Sequence, residues 1–121
     1  MMPRTETEIV DRLAAAMNAH DLPAFLECIH EDYREALTKP KRGLGRKDKV
    51  QANWAQMFLR LPDFRAQVLR TTTRGDEVWT EWRWSGTEDG KPVDVRGITI
   101  FDTKDGKITE GRLYIAALGA K

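Results

Sequence analysis

Residues 78–115, VWTEWRWSGTEDGKPVDVRGITIFDTKDGKITEGRLYI, decide the fold. They read as three long β-strands joined at Asp89-Gly90 and Asp105-Gly106, and Asp-Gly between alternating segments is a strong short-range hairpin signal. Side chains alternate faces along a strand. One parity collects Glu81, Arg83, Asp94, Arg96, Glu110 and Arg112. The other collects Thr80, Trp82, Trp84, Val93, Val95, Gly97, Thr99, Phe101, Gly111, Leu113 and Ile115. In the register that the turns imply, the second set shares one face and predicts a pocket wall. The ionic set then forms a cross-strand ladder outside, each facing pair contributing a few tenths to about 1 kcal/mol. Trp79, Ile98, Ile100 and Tyr114 share that outer parity, and apolar area set among charges predicts a subunit contact there.

Upstream, the periodicity changes from two to about 3.6. Ile9, Val10, Leu13, Ala14 and Met17 make one stripe of a helix from Thr5 to about Ala19. Asp21 is a good N-cap and Pro23 suits a first turn, so a short second helix is predicted from Leu22 to about His30, burying Phe25, Leu26 and Ile29. A brief extended piece, Tyr33 to Leu37, leads into a basic loop. A third helix from about Arg46 to Leu61 places Val50, Trp54, Met57, Phe58 and Leu61 together, and Pro62 ends it. Phe64 to Thr73 alternates as a further strand, with Arg74-Gly75-Asp76 as its turn. Helices followed by a four-stranded antiparallel meander predict an α+β fold, with the helices on one face of the sheet.

The 121 residues suit a single domain spanning 1–121. Twenty basic against 19 acidic residues leave a formal charge of +1, so no global field draws in nucleic acid or an anionic membrane. Lys39 to Lys49 is locally basic, read as a solvated loop or as a site for an anionic group. One cysteine, Cys28, excludes an internal disulfide, and no apolar run reaches the roughly 18 residues of a membrane span. A cytoplasmic protein is expected. There is no metal-ligand spacing and no nucleotide fingerprint, so no metal and no cofactor are expected.

Several segments in order carry a resemblance: AAAMNAHDLPAFLECIHEDY at 14–33, Pro62-Asp63-Phe64, Glu81-Trp82-Arg83-Trp84-Ser85-Gly86-Thr87, and Arg96-Gly97-Ile98-Thr99-Ile100-Phe101 running into Asp105-Gly106-Lys107-Ile108. Over nearly its whole length the chain resembles the nuclear transport factor two-like superfamily, and within it the SnoaL-like proteins. The resemblance implies a cone-shaped α+β barrel, three N-terminal helices packed on a curved, mostly antiparallel sheet, with a ligand cavity inside and a homodimer through the outer sheet face. Members include polyketide cyclases, ketosteroid isomerases, epoxide hydrolases and dehydratases. Fold likeness does not transfer chemistry. SnoaL-like cyclases usually carry an acid two residues after a last-strand tyrosine, where this chain has Tyr114-Ile115-Ala116. Ketosteroid isomerases place a general-base aspartate after the first short strand, where Thr38, Lys39 and Pro40 stand here, and an acidic oxyanion donor near what is here Gly97.

The expected ligand is a small apolar or polyketide-like molecule held by Met17, Phe25, Trp54, Phe58, Trp82, Trp84, Val95, Thr99 and Leu113, a lining that suits stacking with a few hydroxyl or indole donors. A lyase, isomerase or cyclase acting by general acid–base chemistry would use Tyr33 or His30, with Thr99 and Trp82 orienting the substrate. Two alternatives stay open. If Glu81, Asp94 and Arg96 point inward, they resemble the charged constellation of limonene epoxide hydrolases, at the cost of burying several ionic groups. With the familiar acids replaced, a non-catalytic binding or dimerisation module fits equally.

Overall fold

Two residues at each hairpin tip set the sheet. Asp89 and Gly90 have φ of 52° and 76°, and Asp105 and Gly106 have φ of 56° and 73°, the doubly left-handed pattern whose twist matches that of the flanking strands. The computed structural model describes residues 5–35 and 47–117. It contains α1 (Thr5–Ala19), α2 (Leu22–Glu27), β1 (Ile29–Glu35), α3 (Lys47–Arg60), β2 (Arg65–Arg74), β3 (Glu77–Glu88), β4 (Lys91–Lys104) and β5 (Lys107–Ala117). The sheet has five strands in the order β1-β5-β4-β3-β2. β2 to β5 form the antiparallel meander, and β1 lies parallel to β5 at the far edge. This is the α+β cone, helices packed against one face of a curved sheet. The basic stretch from Lys39 to Arg46 lies outside the described residues.

The N-terminal half departs from expectation at one place. α2 closes at Glu27, with Cys28 as its C-cap, and the chain is extended from Ile29, earlier than the expected start at Tyr33. Pairing explains the difference: the Ile108 N–H donates to the Cys28 carbonyl at 2.8 Å and Ile29 stands opposite Ile108. A third helical turn would forfeit that ladder and the burial of Ile29 and Ile108 together. The sheet therefore gains a fifth strand.

The core lies between the helices and the inner sheet face. Ile9, Val10, Leu13, Ala16 and Met17 of α1 are buried, as are Val78, Trp82, Trp84 and Phe101 of the sheet. Trp82 and Trp84 stack with ring centroids 5.5 Å apart. Within the antiparallel meander two register shifts adjust the alternation, one between Val68 and Arg70 opposite β3, the other between Asp102 and Thr103 opposite β5. The second lets Ile108 and Gly111, which differ in parity, both face inward.

The open edge at β2 is closed by α1. The Asn18 amide donates to the Ala66 carbonyl at 3.0 Å and accepts from the Ala66 N–H at 2.7 Å, standing in for a neighbouring strand. His20, at φ 55°, donates through Nε2 to the Phe64 carbonyl at 2.9 Å. Asp63 ties the α3–β2 corner to the end of β3, its two oxygens accepting from the Thr87 N–H and hydroxyl, both at 2.8 Å.

Two predictions follow from these contacts. Thr80 is buried on the inner face with its hydroxyl unpartnered among the described residues, so the isosteric Thr80→Val removes a desolvated polar group and stabilises the fold by up to about 1 kcal/mol in urea unfolding; a loss of that size contradicts the assignment. The hydrogen bonds from Thr87 hold the Asp63 carboxyl below its ordinary value of 3.8. A depressed carboxyl stabilises the fold above its unfolded pKa and stops doing so as pH falls through the lower folded value. Asp63→Asn therefore flattens the loss of stability below about pH 4, and an unchanged acid slope would count against this role.

Candidate ligand-binding site

Apolar side chains that reach the sheet from α1, α2 and α3 do not fill the space above it. A cavity of about 450 Å³ remains, within the range of small-molecule sites. Leu13, Met17 and Phe25 form one side, and Ile29 and Tyr33 of β1 the next. Trp84, Thr99, Phe101, Ile108, Gly111 and Leu113 form the sheet wall, and Val50, Asn53, Trp54, Gln56, Met57 and Arg60 the α3 side. Spacings of three and four along α3 put those six on one flank of the helix.

Missing side chains shape the wall as much as present ones. A Cβ at Gly111 would stand 2.7 Å from the Tyr33 hydroxyl, and one at Gly97 would stand 2.5 Å from Trp84 Cζ3. Both glycines are needed for space. They let the Tyr33 phenol lie across β5 and the Trp84 indole lie across β4. Tyr33 is buried at the cavity. Thr99 accepts a hydrogen bond from Trp82 Nε1 at 2.9 Å. The Trp84 indole N–H is enclosed with no partner among the described residues.

Of the residues expected to line the site, Met17, Phe25, Trp54, Trp84, Thr99 and Leu113 are in the lining, and so is Tyr33. Three others are not. Phe58, one turn beyond Trp54 on the same stripe of α3, packs away from the cavity against Phe64 and stacks on His20 at 4.8 Å and 7°. Trp82 is fully buried behind Thr99 and Trp84. Val95 packs at the margin of the core. His30 also lies outside the lining, because the early end of α2 puts it on β1 next to buried Ile29; its Nδ1 accepts from the Asp32 N–H at 3.0 Å.

Glu81, Asp94 and Arg96 lie on the opposite face from the cavity, which corrects the inward alternative. Arg83 grips Asp94 with two hydrogen bonds, Nε–Oδ1 at 2.9 Å and Nη2–Oδ2 at 2.6 Å. Glu81 lies 3.1 Å from Arg70 and 4.0 Å from Arg96. Arg83 and Arg96 stand directly opposite each other, a repulsive placement that these carboxylates relieve. The Arg83 hydrogen bonds lower the Asp94 carboxyl and Asp94 raises Arg83. Burial raises the Cys28 thiol, and its Sγ donates weakly to the Ala24 carbonyl at 3.7 Å, so Cys28 is a small core residue and a poor nucleophile.

The described lining contains no carboxylate and no imidazole. Its charged members are Arg60, 3.5 Å from Glu88, and Arg112, 3.6 Å from Glu110. Its hydroxyl-bearing members are Tyr33 and Thr99. No group of three metal-capable side chains occurs among the described residues, and no described helix is long and apolar enough to cross a membrane. Sequence reading placed Arg112 in the outer ladder, whereas it borders the cavity, and missed Ile29 and Ile108, hidden by the overlong α2 and by the bulge, and Asn53, Gln56 and Arg60. The last three carried a signal, standing three, six and ten residues beyond Val50 on the flank next to its stripe.

Comparison with known proteins agrees with this architecture. Residues 10–111 match the model of the SnoaL-like domain. No curated protein matches the chain significantly. Among solved structures, a candidate SnoaL-like polyketide cyclase from Jannaschia sp. CCS1 is 25% identical, with 92% of this chain and 85% of that one covered and a TM-score of 0.77. IdmH, a candidate polyketide cyclase from Streptomyces antibioticus, is 21% identical over 91% of each chain, with a TM-score of 0.80. AclR, a candidate hydroxylase from Streptomyces galilaeus, is 16% identical over 92% and 88%, with a TM-score of 0.83; the last two likenesses speak for the fold alone. A match running from α1 into β5, on a five-stranded cone with its cavity under the helices, establishes that the chain belongs to the SnoaL-like family of the nuclear transport factor two-like superfamily.

Proposed function

We propose that the protein binds a flat, largely apolar, oxygenated molecule of the polyketide type between the sheet and α3. The observation that carries this reading is the cavity itself, about 450 Å³ with aromatic walls at Trp54, Trp84, Phe25 and Phe101 and hydroxyls at Tyr33 and Thr99. Aromatic walls favour stacking on a planar ring system, and a few fixed hydroxyls favour oxygen substituents at its edge. The reaction class that suits this lining is a cyclase, isomerase or lyase step on a bound carbonyl, with the Tyr33 phenol as acid and the walls holding the chain in a reactive fold. A lining without a described carboxylate fits a binding protein that performs no turnover equally well. Assays for ring closure or double-bond migration separate the two.

The proposal includes a homodimer through the outer sheet face. Trp79, Ile98 and Tyr114 are 41%, 41% and 45% exposed there, beside the paired charges of the ladder, a mixture typical of an interface with an apolar centre and a polar rim. Two copies related by a two-fold axis would cover the same patch on each. A buried, unreactive Cys28 suits a reducing compartment, and we place the protein in the cytoplasm.

Titrating 1,8-dihydroxyanthraquinone against the intrinsic tryptophan fluorescence tests the cavity. Saturable quenching is expected, with Trp54→Ala weakening binding about tenfold or more; absence of any saturable response from this and related quinones would sink the reading. Light scattering after gel filtration tests the assembly. The wild type should elute at twice the chain mass and Ile98→Arg at the monomer mass, and a monomeric wild type at micromolar concentration contradicts the dimer.

A further inference from the structure

Behind the cavity wall, Trp82 is fully buried and delivers its indole N–H to the hydroxyl of Thr99 at 2.9 Å. We infer that Trp82 fixes Thr99 as a hydrogen-bond donor to the ligand, so that the site selects flat molecules carrying a carbonyl or similar acceptor oxygen over those presenting an N–H. The inference rests on the cavity-binding reading above and narrows its substrate class.

A threonine hydroxyl has one proton and two lone pairs, and an indole nitrogen can only donate. Trp82 therefore fills a lone pair of Thr99 and turns the hydroxyl proton away from itself. The indole has no freedom to leave: it is stacked on Trp84 at 5.5 Å and 14° and sealed from solvent. The Thr99 proton finds no acceptor among the described residues. Thr80, its direct partner across the β3–β4 ladder, keeps its own hydroxyl enclosed and without a partner among the described residues. Thr99 belongs to the cavity lining, which leaves a bound molecule to take the proton. Donation into Oγ1 also polarises the O–H and strengthens it toward an acceptor. A ligand N–H meets the opposite situation, with one lone pair already taken. Trp82 is a positioning residue in this scheme, acting through Thr99 without touching the ligand.

Three isosteric tricyclic probes isolate the effect: fluorenone carries an acceptor oxygen, carbazole a donor N–H, and fluorene neither. In competition against 1,8-dihydroxyanthraquinone, wild-type protein should bind fluorenone about three- to tenfold more tightly than the other two, the range for one net hydrogen bond. The infrared carbonyl band of bound fluorenone should lie below its position in hexane. Thr99→Val should erase both the preference and the band shift, Thr99→Ser should keep them, and Trp82→Phe should shrink the fluorenone preference and improve carbazole while leaving fluorene unchanged. A second readout serves should Trp82→Phe fail to fold: the Trp82 indole proton resonance of the wild type should move downfield when fluorenone binds and stay in place with fluorene. Equal affinity for the three probes, or an unshifted carbonyl band, overturns the inference and leaves the cavity reading standing. Failure of every probe, the anthraquinone included, to bind overturns both.

Discussion

A two-residue turn with both residues left-handed leaves a hairpin no choice of register, and each of the two Asp-Gly turns here fixes which side of the sheet every following side chain faces. A slip of one residue would carry Trp82, Trp84 and Thr99 to the outside and bring Glu81, Arg83 and Arg96 into the cone. Several unpaired charges would then be desolvated at several kcal/mol each. Burial and turn geometry agree on one register. The sheet wall of the cavity is apolar at its centre because Glu81, Arg83, Asp94 and Arg96 all lie on the other face, where Arg83 finds Asp94 and Glu81 lies between Arg70 and Arg96.

What lies inside depends on local exceptions to that alternation. The bulge opposite β5 brings Ile108 into the core without expelling Gly111, and the absent side chains at Gly97 and Gly111 admit Trp84 and Tyr33 over the strands. These two rings define the surface on which a planar molecule can lie. Trp82 never reaches that surface, yet its hydrogen bond to Thr99 gives the wall a direction that an apolar residue would not supply. The route from sequence to chemistry passes through strand parity first and through three small details afterwards.

The sheet was largely legible because its signals are local and redundant: Asp-Gly at each tip, alternating residues between, Pro62 after the third helix. The wall residues that follow strict alternation, such as Trp84 and Thr99, were legible with it. Other features depended on contacts distant in the chain. The early end of α2 is decided by Ile108, about 80 residues away, which pairs with the chain at Cys28 and Ile29; nothing around His30 announces a parallel strand. Phe58 shares a helical stripe with Trp54, and only the position of His20 shows that it leaves the cavity. Trp82 has the right parity and the wrong depth, because two large indoles cannot both front the same space when they stack on each other.

The inward–outward partition is tested most directly by the four tryptophans, whose indole N–H resonances report separately on the cavity, the layer behind it and the outer face. With a saturating planar quinone, the indole signals of Trp54 and Trp84 should shift strongly, while that of Trp79, bonded to Glu77 on the outside of the sheet, stays where it was. A large shift at Trp79 with Trp54 and Trp84 unmoved would place the ligand on the ionic face and contradict the partition.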